Sequence, residues 1–265
     1  MAVLVSVKKI FSKAEGCSVK TIDTLHRTHT GKSSDKYVAY LAVYDRIFSP
    51  YQDQPVKLLE IGVQNGGSLD VWAEYFSNAE KIVGCDIDPK CKNLIYPDKR
   101  IHVVAGDINV EDTYKEISSH ADMYDIIIDD ASHVSDNIIR TFLIYFPLLS
   151  PGGIFVVEDT HSLYWAEYQG GILRQTTAYA FFKLFVDLIN YEHWKDDLSI
   201  EKLFSSFPPA YIQPFLQEGW VDGIEFYNSM VIIRKSQSPS HSKLKERLIV
   251  GSEAIVCPEM LDRKT

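Results

Sequence analysis

The sequence predicts an α/β fold: a doubly wound, mostly parallel sheet with helices on both faces. Two observations support this prediction. Five short apolar runs between residues 56 and 157 alternate with stretches in which apolar residues recur at helical spacing. Each run also ends at an acidic residue, as expected of buried strands whose carboxyl ends share one edge of a sheet.

The predicted elements can be placed in chain order. The five strands are predicted at residues 56–61, 82–85, 101–104, 125–128 and 154–157. Helical spacing predicts helices along residues 37–44, 69–76, 138–146 and 181–189. Residues 33–35 can cap the first of these helices, and Ser68 is the predicted N-cap of the second.

The end of the sheet is predicted to change direction. Pro151, Gly152 and Gly153 predict a turn before the fifth strand. Residues 223–227 and 230–234 have the pattern of two further strands joined by only two residues. Such a short connection is typical of a hairpin, so one of these strands should run antiparallel to its neighbour.

Composition indicates one large domain with short appendages. The chain has 265 residues, of which 46% are hydrophobic, and a formal net charge of -9. We expect a main domain over residues 34–235, a helical leader or cap over 1–33 and a tail over 236–265. The acidic charge argues against binding to a nucleic-acid backbone, which needs clustered Lys and Arg.

The same composition bears on location. The apolar stretches are too short for a secretion signal or a membrane span. The spacing of the four cysteines fits neither a zinc site nor a disulfide framework. We therefore expect the protein in the reducing cytoplasm.

The turn after the first strand has the composition of a ligand-binding loop. Its glycines are not spaced as G-x-G-x-x-G, because three residues separate Gly62 from Gly66. S-adenosylmethionine has no phosphate and carries an ammonium and a carboxylate, so an acid beside glycines suits it better than a dinucleotide. The predicted cofactor-binding residues of this turn are Glu60, Gly62, Asn65, Gly66 and Ser68. The alternative is a glycine-rich turn without a ligand.

Acids at the next strand ends extend this prediction. Asp86 can accept both ribose hydroxyls of the cofactor, a role that dinucleotide-binding folds share. Asp107 can accept the adenine amino group, or it can cap a helix. Asp129 completes the predicted cofactor-binding set.

Three carboxylates on adjacent strand ends predict a metal site. Asp130, Glu158 and Asp159 would repel one another in a shared cavity unless they were protonated or bound to a cation. Mg²⁺ prefers such oxygen ligands. The alternative is a set of solvated strand-end acids, one of which acts as a cap.

A histidine near these acids can act as a general base. His133 lies three residues after Asp130, and an imidazole titrates near neutrality. His161 is a weaker candidate for the same role. Tyr164 and Trp165 can form a wall for a ring-shaped substrate, or they can belong to the core.

Together these motifs resemble those of the metal-dependent sugar O-methyltransferases of macrolide biosynthesis, the mycinamicin type. The cephalosporin-tailoring methyltransferase-like proteins are a related group. The resemblance covers residues 34–234, and the segments that carry it are 58–62, 84–88, 129–133, 158–159 and 164–165. Ala131 stands where the family usually has Gly, and residues 1–33 are too short to form the extra N-terminal domain of many members.

The resemblance implies a Rossmann-like, seven-stranded sheet with an antiparallel last strand. It also implies Asp130, Glu158 and Asp159 as Mg²⁺ ligands and His133 as the general base. We therefore expect an S-adenosylmethionine-dependent O-methyltransferase that is Mg²⁺-dependent. Its substrate would be a hydroxyl of a sugar, a glycosylated natural product or a polysaccharide.

Other functions remain open at this point. One alternative is a metal-independent methyltransferase in which His133 acts alone. A nicotinamide-dependent oxidoreductase is disfavoured by the glycine spacing, and a non-catalytic assembly module is disfavoured by the retained acids. We expect a small-molecule partner and a homo-oligomer, and the fold leaves the acceptor itself undefined.

Overall fold

The computed structural model describes residues 20–195 and 198–263. In these ranges, seven strands form a single sheet: β1 (Lys57–Ile61), β2 (Lys81–Asp86), β3 (Ile101–Ala105), β4 (Tyr124–Asp129), β5 (Leu149–Val157), β6 (Val221–Tyr227) and β7 (Met230–Lys235). Their order across the sheet is β3-β2-β1-β4-β5-β7-β6. The strand order reverses between β1 and β4, where a doubly wound sheet opens a crevice for ligands.

Strand directions confirm the predicted topology. The pairs β1–β2, β2–β3, β1–β4 and β4–β5 are parallel, whereas β7 is antiparallel to both β5 and β6. The last strand is therefore antiparallel to its neighbours, as expected, and the final two strands form the predicted hairpin.

The turn predicted at residues 151–153 is wrong, because β5 continues through this segment. Leu149 of β5 pairs with Tyr124 of β4, and the next paired residues are Ile154 and Ile126. Between these two pairs β5 therefore contains more residues than β4. The extra residues form a bulge, and Gly152 has the left-handed φ of +79° that such an irregularity needs.

Eight α-helices surround the sheet in the described ranges: α1 (Ile22–Thr28), α2 (Val38–Phe48), α3 (Gly67–Tyr75), α4 (Glu111–His120), α5 (Ser135–Tyr145), α6 (Ala178–Ile189), α7 (Ile200–Leu203) and α8 (Pro214–Gln217). Helix α1 lies within the predicted leader. Residues 1–19, which include Cys17, lie outside the described residues. None of the helices described is long and apolar enough to cross a membrane.

Both predicted N-caps are wrong. Helix α2 begins at Val38, and residues 33–35 precede it outside any helix. The carbonyl of Ser33 instead accepts a hydrogen bond from the amide of Gly67, at 3.1 Å, so this segment crosses the first turn. The N-cap of α3 is Gly66, with a φ of +80°, and the hydroxyl of Ser68 donates to Oε2 of Glu60 at 2.5 Å.

Side chains from alternate positions of the strands build two cores, one on each face of the sheet. Leu59 of β1 belongs to the core that includes Phe142 of α5 and Phe181 of α6. Leu58 belongs to the opposite core, with Tyr44 of α2 and Trp72 of α3. The helical face predicted along residues 138–146 is confirmed, since Phe142 is fully buried against several aromatic rings. Packing on both faces fixes the strand ends relative to one another.

The crossing of two loops at Gly62 generates a stability prediction. A Cβ added to Gly62 would lie 2.1 Å from the carbonyl oxygen of Asp130, and the φ of Gly62 is +90°. Overpacking and the left-handed backbone together should lower the free energy of unfolding of the Gly62→Ala variant by about 3 kcal/mol. Urea unfolding followed by circular dichroism measures this difference.

Gly223→Ala in β6 is the matched control for this prediction. A Cβ at Gly223 meets nothing within 4 Å. Its change in unfolding free energy should stay within about 1 kcal/mol. Equal destabilisation of the two variants would contradict the account of the crossing.

Candidate active site

A cavity of about 800 Å³ opens at the carboxyl ends of the parallel strands, beside the reversal of strand order. It brings together eight of the predicted site residues: Gly62, Ser68, Asp86, Asp107, Asp130, His133, Glu158 and Asp159. Acids that lie as far apart in the chain as Asp86 and Asp159 thus face one space. The topology explains this convergence, because parallel strands deliver their carboxyl ends to the same edge.

Four other predicted residues lie off the cavity wall: Glu60, Asn65, Gly66 and Asp129. Glu60 is fully buried beneath the first turn, and Asn65 is exposed. Gly66 caps α3, and its carbonyl accepts a hydrogen bond from the hydroxyl of Tyr96. Asp129 is 3% exposed, and burial raises the pKa of its carboxyl to about 7. Their binding roles stay predictions.

Asp86 organises the first turn. Its Oδ2 accepts a hydrogen bond from the amide of Gln64 at 2.8 Å, and its Oδ1 accepts one from the amide of Asp88 at 2.9 Å. Each carboxylate oxygen has a second lone pair, so the group can still accept ligand hydroxyls. Asp86 is therefore fixed at the cavity, and both of its carboxylate oxygens can accept a further hydrogen bond from a ligand.

Asp107 is not a helix cap, because α4 begins at Glu111 with Val110 at the N-cap. Its Oδ1 accepts a hydrogen bond from the amide of Asn109 at 2.9 Å. This local bond closes an Asx turn, the conformation that short acidic side chains favour in loops. Asp107 is exposed at the cavity, where it can accept a hydrogen bond from a ligand.

A buried lysine that the sequence analysis did not identify lies among the acids. The Nζ atom of Lys36 is 2.6 Å from Asp130 Oδ2, 2.7 Å from Glu158 Oε1 and 3.3 Å from Glu60 Oε1. Its side chain is only 2% exposed. Asp35 and Lys36 lie just before helix α2 and do not follow a strand, so the pattern that indicated the other site residues is absent here. Only the fold reveals that this segment crosses the edge of the sheet. Three attractive contacts offset the desolvation of the ammonium.

A second group of ligand atoms faces the cavity. Asp130, His133 and Asp159 each offer one atom, and these atoms lie within 4.8 Å of one another. Nε2 of His133 is 3.9 Å from Oδ2 of Asp159. All three residues are partly exposed, in contrast to Glu158, whose Oε1 contacts Lys36 and accepts a hydrogen bond from the hydroxyl of Tyr44. The predicted metal set is therefore divided between a buried side and a cavity side.

Left-handed backbone conformations position three residues of the cavity. The φ angles of Gln64, His133 and Asp159 are +47°, +57° and +51°. Residues other than glycine rarely adopt this region, and they do so when the surrounding structure holds them. Ser162 donates a hydrogen bond to the carbonyl of His133 at 3.0 Å, and the hydroxyl of Tyr40 donates to Oδ1 of Asp159 at 2.7 Å.

Charge at the site favours a cationic ligand. Glu60, Asp130 and Glu158 surround the single ammonium of Lys36, and Asp159 adds a fourth acid beside Asp130. Burial raises the pKa of Glu158 to about 8, and repulsion by Asp130 adds to this effect although Lys36 opposes it. A divalent cation would relieve the repulsion through oxygen ligands. The donor set therefore fits Mg²⁺, and the acidic wall fits a sulfonium cofactor better than a pyrophosphate.

Aromatic side chains extend from the cavity mouth. Tyr37 lines the cavity and is 57% exposed. Its ring makes an edge contact with His161, whose ring in turn contacts Trp165, which is 47% exposed. Tyr164 is also half exposed. Tyr164 and Trp165 are therefore not core residues. Neither lines the cavity, so their role as a wall for a ring-shaped substrate stays a prediction.

The strand order and the flanking helices are those of the Rossmann-like methyltransferase fold. A family model described as a methyltransferase domain matches residues 59–160 of the chain. This match runs from within β1 to the end of β5 and includes most of the cavity, so the fold class predicted from the sequence is confirmed.

Curated relatives make the resemblance more specific. The chain is 32% identical over 254 residues to 8-demethyl-8-alpha-L-rhamnosyl tetracenomycin-C 2'-O-methyltransferase of Streptomyces olivaceus, covering 91% of this chain and 62% of that protein. It is 30% identical over 202 residues to demethylmacrocin O-methyltransferase of Streptomyces fradiae, covering 72% of this chain and 47% of that protein. The chain thus spans about half to three-fifths of the length of these relatives.

The chain is also similar to a solved methyltransferase structure. It is MycE, a methyltransferase from the mycinamycin biosynthetic pathway, in complex with Mg, SAH and mycinamycin VI. The TM-score is 0.66 at 25% sequence identity, and the match covers 82% of this chain and 54% of that chain. The resemblance to the mycinamicin-type sugar O-methyltransferases is therefore confirmed.

Proposed function

We propose that the protein is an S-adenosylmethionine-dependent O-methyltransferase that uses Mg²⁺ and methylates a hydroxyl of a sugar-bearing small molecule. One observation carries the proposal. Asp86, at the first turn, and the group of Asp130, His133 and Asp159 line the same cavity. A nucleoside cofactor and a cation would therefore be neighbours there. A relative named as an O-methyltransferase of a rhamnosyl tetracenomycin supports the same activity.

The cofactor would lie along the ends of β1, β2 and β3. When bound, S-adenosylmethionine supplies a methyl group on a cationic sulfur. Asp86 would accept the ribose hydroxyls, and Asp107 the adenine amino group. The turn over residues 60–68 would enclose the methionine end, with Gly62 allowing close approach. Glu60 and Ser68 would fix the shape of this turn through their mutual hydrogen bond.

The metal ligands would be Asp130, Asp159 and Glu158, which lines the cavity although one of its oxygens contacts Lys36. When bound, Mg²⁺ supplies positive charge that makes an alcohol more acidic. Tyr40 would hold Asp159 in place through its hydrogen bond at 2.7 Å. Tyr44 would do the same for Glu158.

His133 would act as the general base. Its imidazole would accept the proton of the acceptor hydroxyl while the oxygen forms a bond to the methyl carbon and the carbon–sulfur bond breaks. Asp159, 3.9 Å from Nε2, would stabilise the imidazolium that results. The strained backbone of His133 would keep the ring beside the cation ligands. Much of the rate gain would come from this positioning.

The acceptor would enter past the exposed aromatic rings. Tyr37 and Trp165 present flat apolar surfaces next to the acids. Pyranose rings have an apolar face that packs on such surfaces, while their hydroxyls turn to polar groups. This arrangement supports a sugar-type acceptor over a small acyclic alcohol.

Other parts of the proposal concern the whole protein. We infer that residues 34–235 form the catalytic unit, with a leader over 1–33 and a tail over 236–265. We also infer a cytoplasmic location and a homo-oligomer. Gel filtration with light scattering measures the oligomeric state.

The proposed activity predicts metal-dependent methyl transfer. Purified protein, labelled S-adenosylmethionine and a panel of rhamnosylated and other glycosylated polyketides should give a labelled product from at least one glycoside. Excess EDTA should reduce the rate by at least about 100-fold because the cation stabilises the developing charge, and added Mg²⁺ should restore it. Full activity in EDTA would select the metal-independent alternative. Thermal stabilisation by NAD but not by S-adenosylhomocysteine would contradict the proposed class.

The base assignment predicts a separation of rate from binding. His133→Ala should lower kcat by about 100-fold to 10,000-fold, since a positioned base contributes that much. The Kd for S-adenosylhomocysteine, measured by calorimetry, should change less than twofold. His161→Ala is the matched control, and its kcat should stay within about tenfold of wild type. An equal loss of rate and cofactor affinity in His133→Ala would contradict the role of His133.

A further inference from the structure

The acids of the site define two cation positions that share one residue. Oxygens of Glu60, Asp130 and Glu158 lie within 4.8 Å of one another, which is the spacing of ligands around a single ion. Asp130, His133 and Asp159 form a second group with the same property. The first group is largely buried, and the second faces the cavity. We call them the inner group and the outer group.

The inner group already surrounds a cation. Nζ of Lys36 lies between 2.6 and 3.3 Å from an oxygen of each of its three acids. Oε1 of Glu60 is buried and has no hydrogen bond within the described chain, so its neighbour there is the ammonium. A divalent ion placed in this group would meet the ammonium at its centre, and like charges at that distance repel strongly.

The chain holds Lys36 in this position from both sides. Residue 33 is hydrogen-bonded to the first turn through the amide of Gly67. Helix α2 begins two residues after Lys36, and its Tyr40 and Tyr44 donate hydrogen bonds to Asp159 and Glu158. The backbone on both sides of Lys36 is therefore anchored, and the same segment contacts both groups of acids. This anchoring fixes the ammonium among the inner acids.

Asp130 couples the two groups. Lys36 contacts its Oδ2, so Oδ1 is the oxygen that we expect to face the outer group. The ammonium of Lys36 is covalently attached to the chain, so unlike a metal ion it cannot dissociate. It carries one positive charge, whereas Mg²⁺ carries two. It can orient Asp130 and Glu158 permanently without binding a substrate oxygen.

We propose that Lys36 is a built-in cation that occupies the inner group, so that this site takes a single divalent ion. That ion would lie on the cavity side, held by Asp130, Asp159 and the oxygen of Glu158 that Lys36 does not contact, and His133 would stay free to act as the base. This inference rests on the proposed function, because it concerns the same metal site. It makes Lys36 a positioning residue: the side chain sets the number of ions and the direction of Asp130. The sequence motifs of metal ligands alone do not predict this arrangement.

Counting bound ions tests the proposal. Mn²⁺ serves as the probe and is titrated into the protein in the presence of S-adenosylhomocysteine. Electron paramagnetic resonance measures the free Mn²⁺ at each step. Wild type should bind one ion per chain. Lys36→Met removes the charge but keeps much of the length, so the inner group becomes free and two ions per chain should bind. Lys36→Arg keeps the charge and should bind one.

Controls make each outcome decisive. Lys32→Met removes a lysine that pairs with Asp70, outside both groups, and should bind one ion. Circular dichroism shows whether Lys36→Met is folded, and added Mn²⁺ should raise its Tm more than that of wild type. If the variant folds only with Mn²⁺ and then holds two ions, the proposal also stands.

Two results would overturn the proposal: two ions in wild type, or no gain of an ion in Lys36→Met. A different result would concern the proposed function instead. Suppose that wild type binds no ion while Lys36→Met binds one. This result would support the claim that Lys36 occupies the inner group, and it would contradict the proposed use of Mg²⁺ by the wild-type site. The ion count therefore separates the two claims.

Discussion

The buried contact of Lys36 with three acids is the interaction on which the site depends. It joins Glu60 at the first turn, Asp130 after β4 and Glu158 after β5. Each acid comes from the carboxyl end of a different strand, and each would repel the others in a low-dielectric interior without a cation. A single ammonium therefore ties the cofactor turn to the proposed metal ligands. Helix α2, which follows Lys36, adds Tyr40 and Tyr44 to the same network.

This constraint explains why the cavity has an acidic wall and still has a defined shape. The ammonium of Lys36 partly compensates the charge of the inner acids, whereas Asp159 and His133 remain partly exposed toward the cavity. Both have left-handed backbones, and hydrogen bonds from neighbouring segments hold the carbonyl of His133 and the side chain of Asp159. Strain of this kind is expected where a protein fixes side chains for chemistry instead of for packing. The arrangement agrees with the proposed Mg²⁺-dependent methyl transfer to a hydroxyl, which would use a base, a cation site and a cofactor pocket in one place.

Much of the fold could be predicted from the sequence because the strands are continuous apolar runs and the helices have one apolar face. The acids that end these strands also predicted the cavity wall, since parallel topology alone brings them together. The caps at residues 33–35 and Ser68 were wrong because tertiary contacts recruited those residues elsewhere. The turn at 151–153 was wrong because a glycine bulge lets β5 continue. Lys36 was missed because no local pattern indicates which lysine a fold will bury.

The most direct test of the account is a crystal structure grown with S-adenosylhomocysteine and Mn²⁺, with anomalous data collected for manganese. The account predicts one strong anomalous peak, bounded by Asp130 and Asp159, and a cofactor ribose on Asp86. The ammonium of Lys36 should remain behind the ion, against Glu60. A ribose bound away from Asp86, or a manganese peak outside this cavity, would contradict the central claim that the strand-end acids form a single cofactor and metal site.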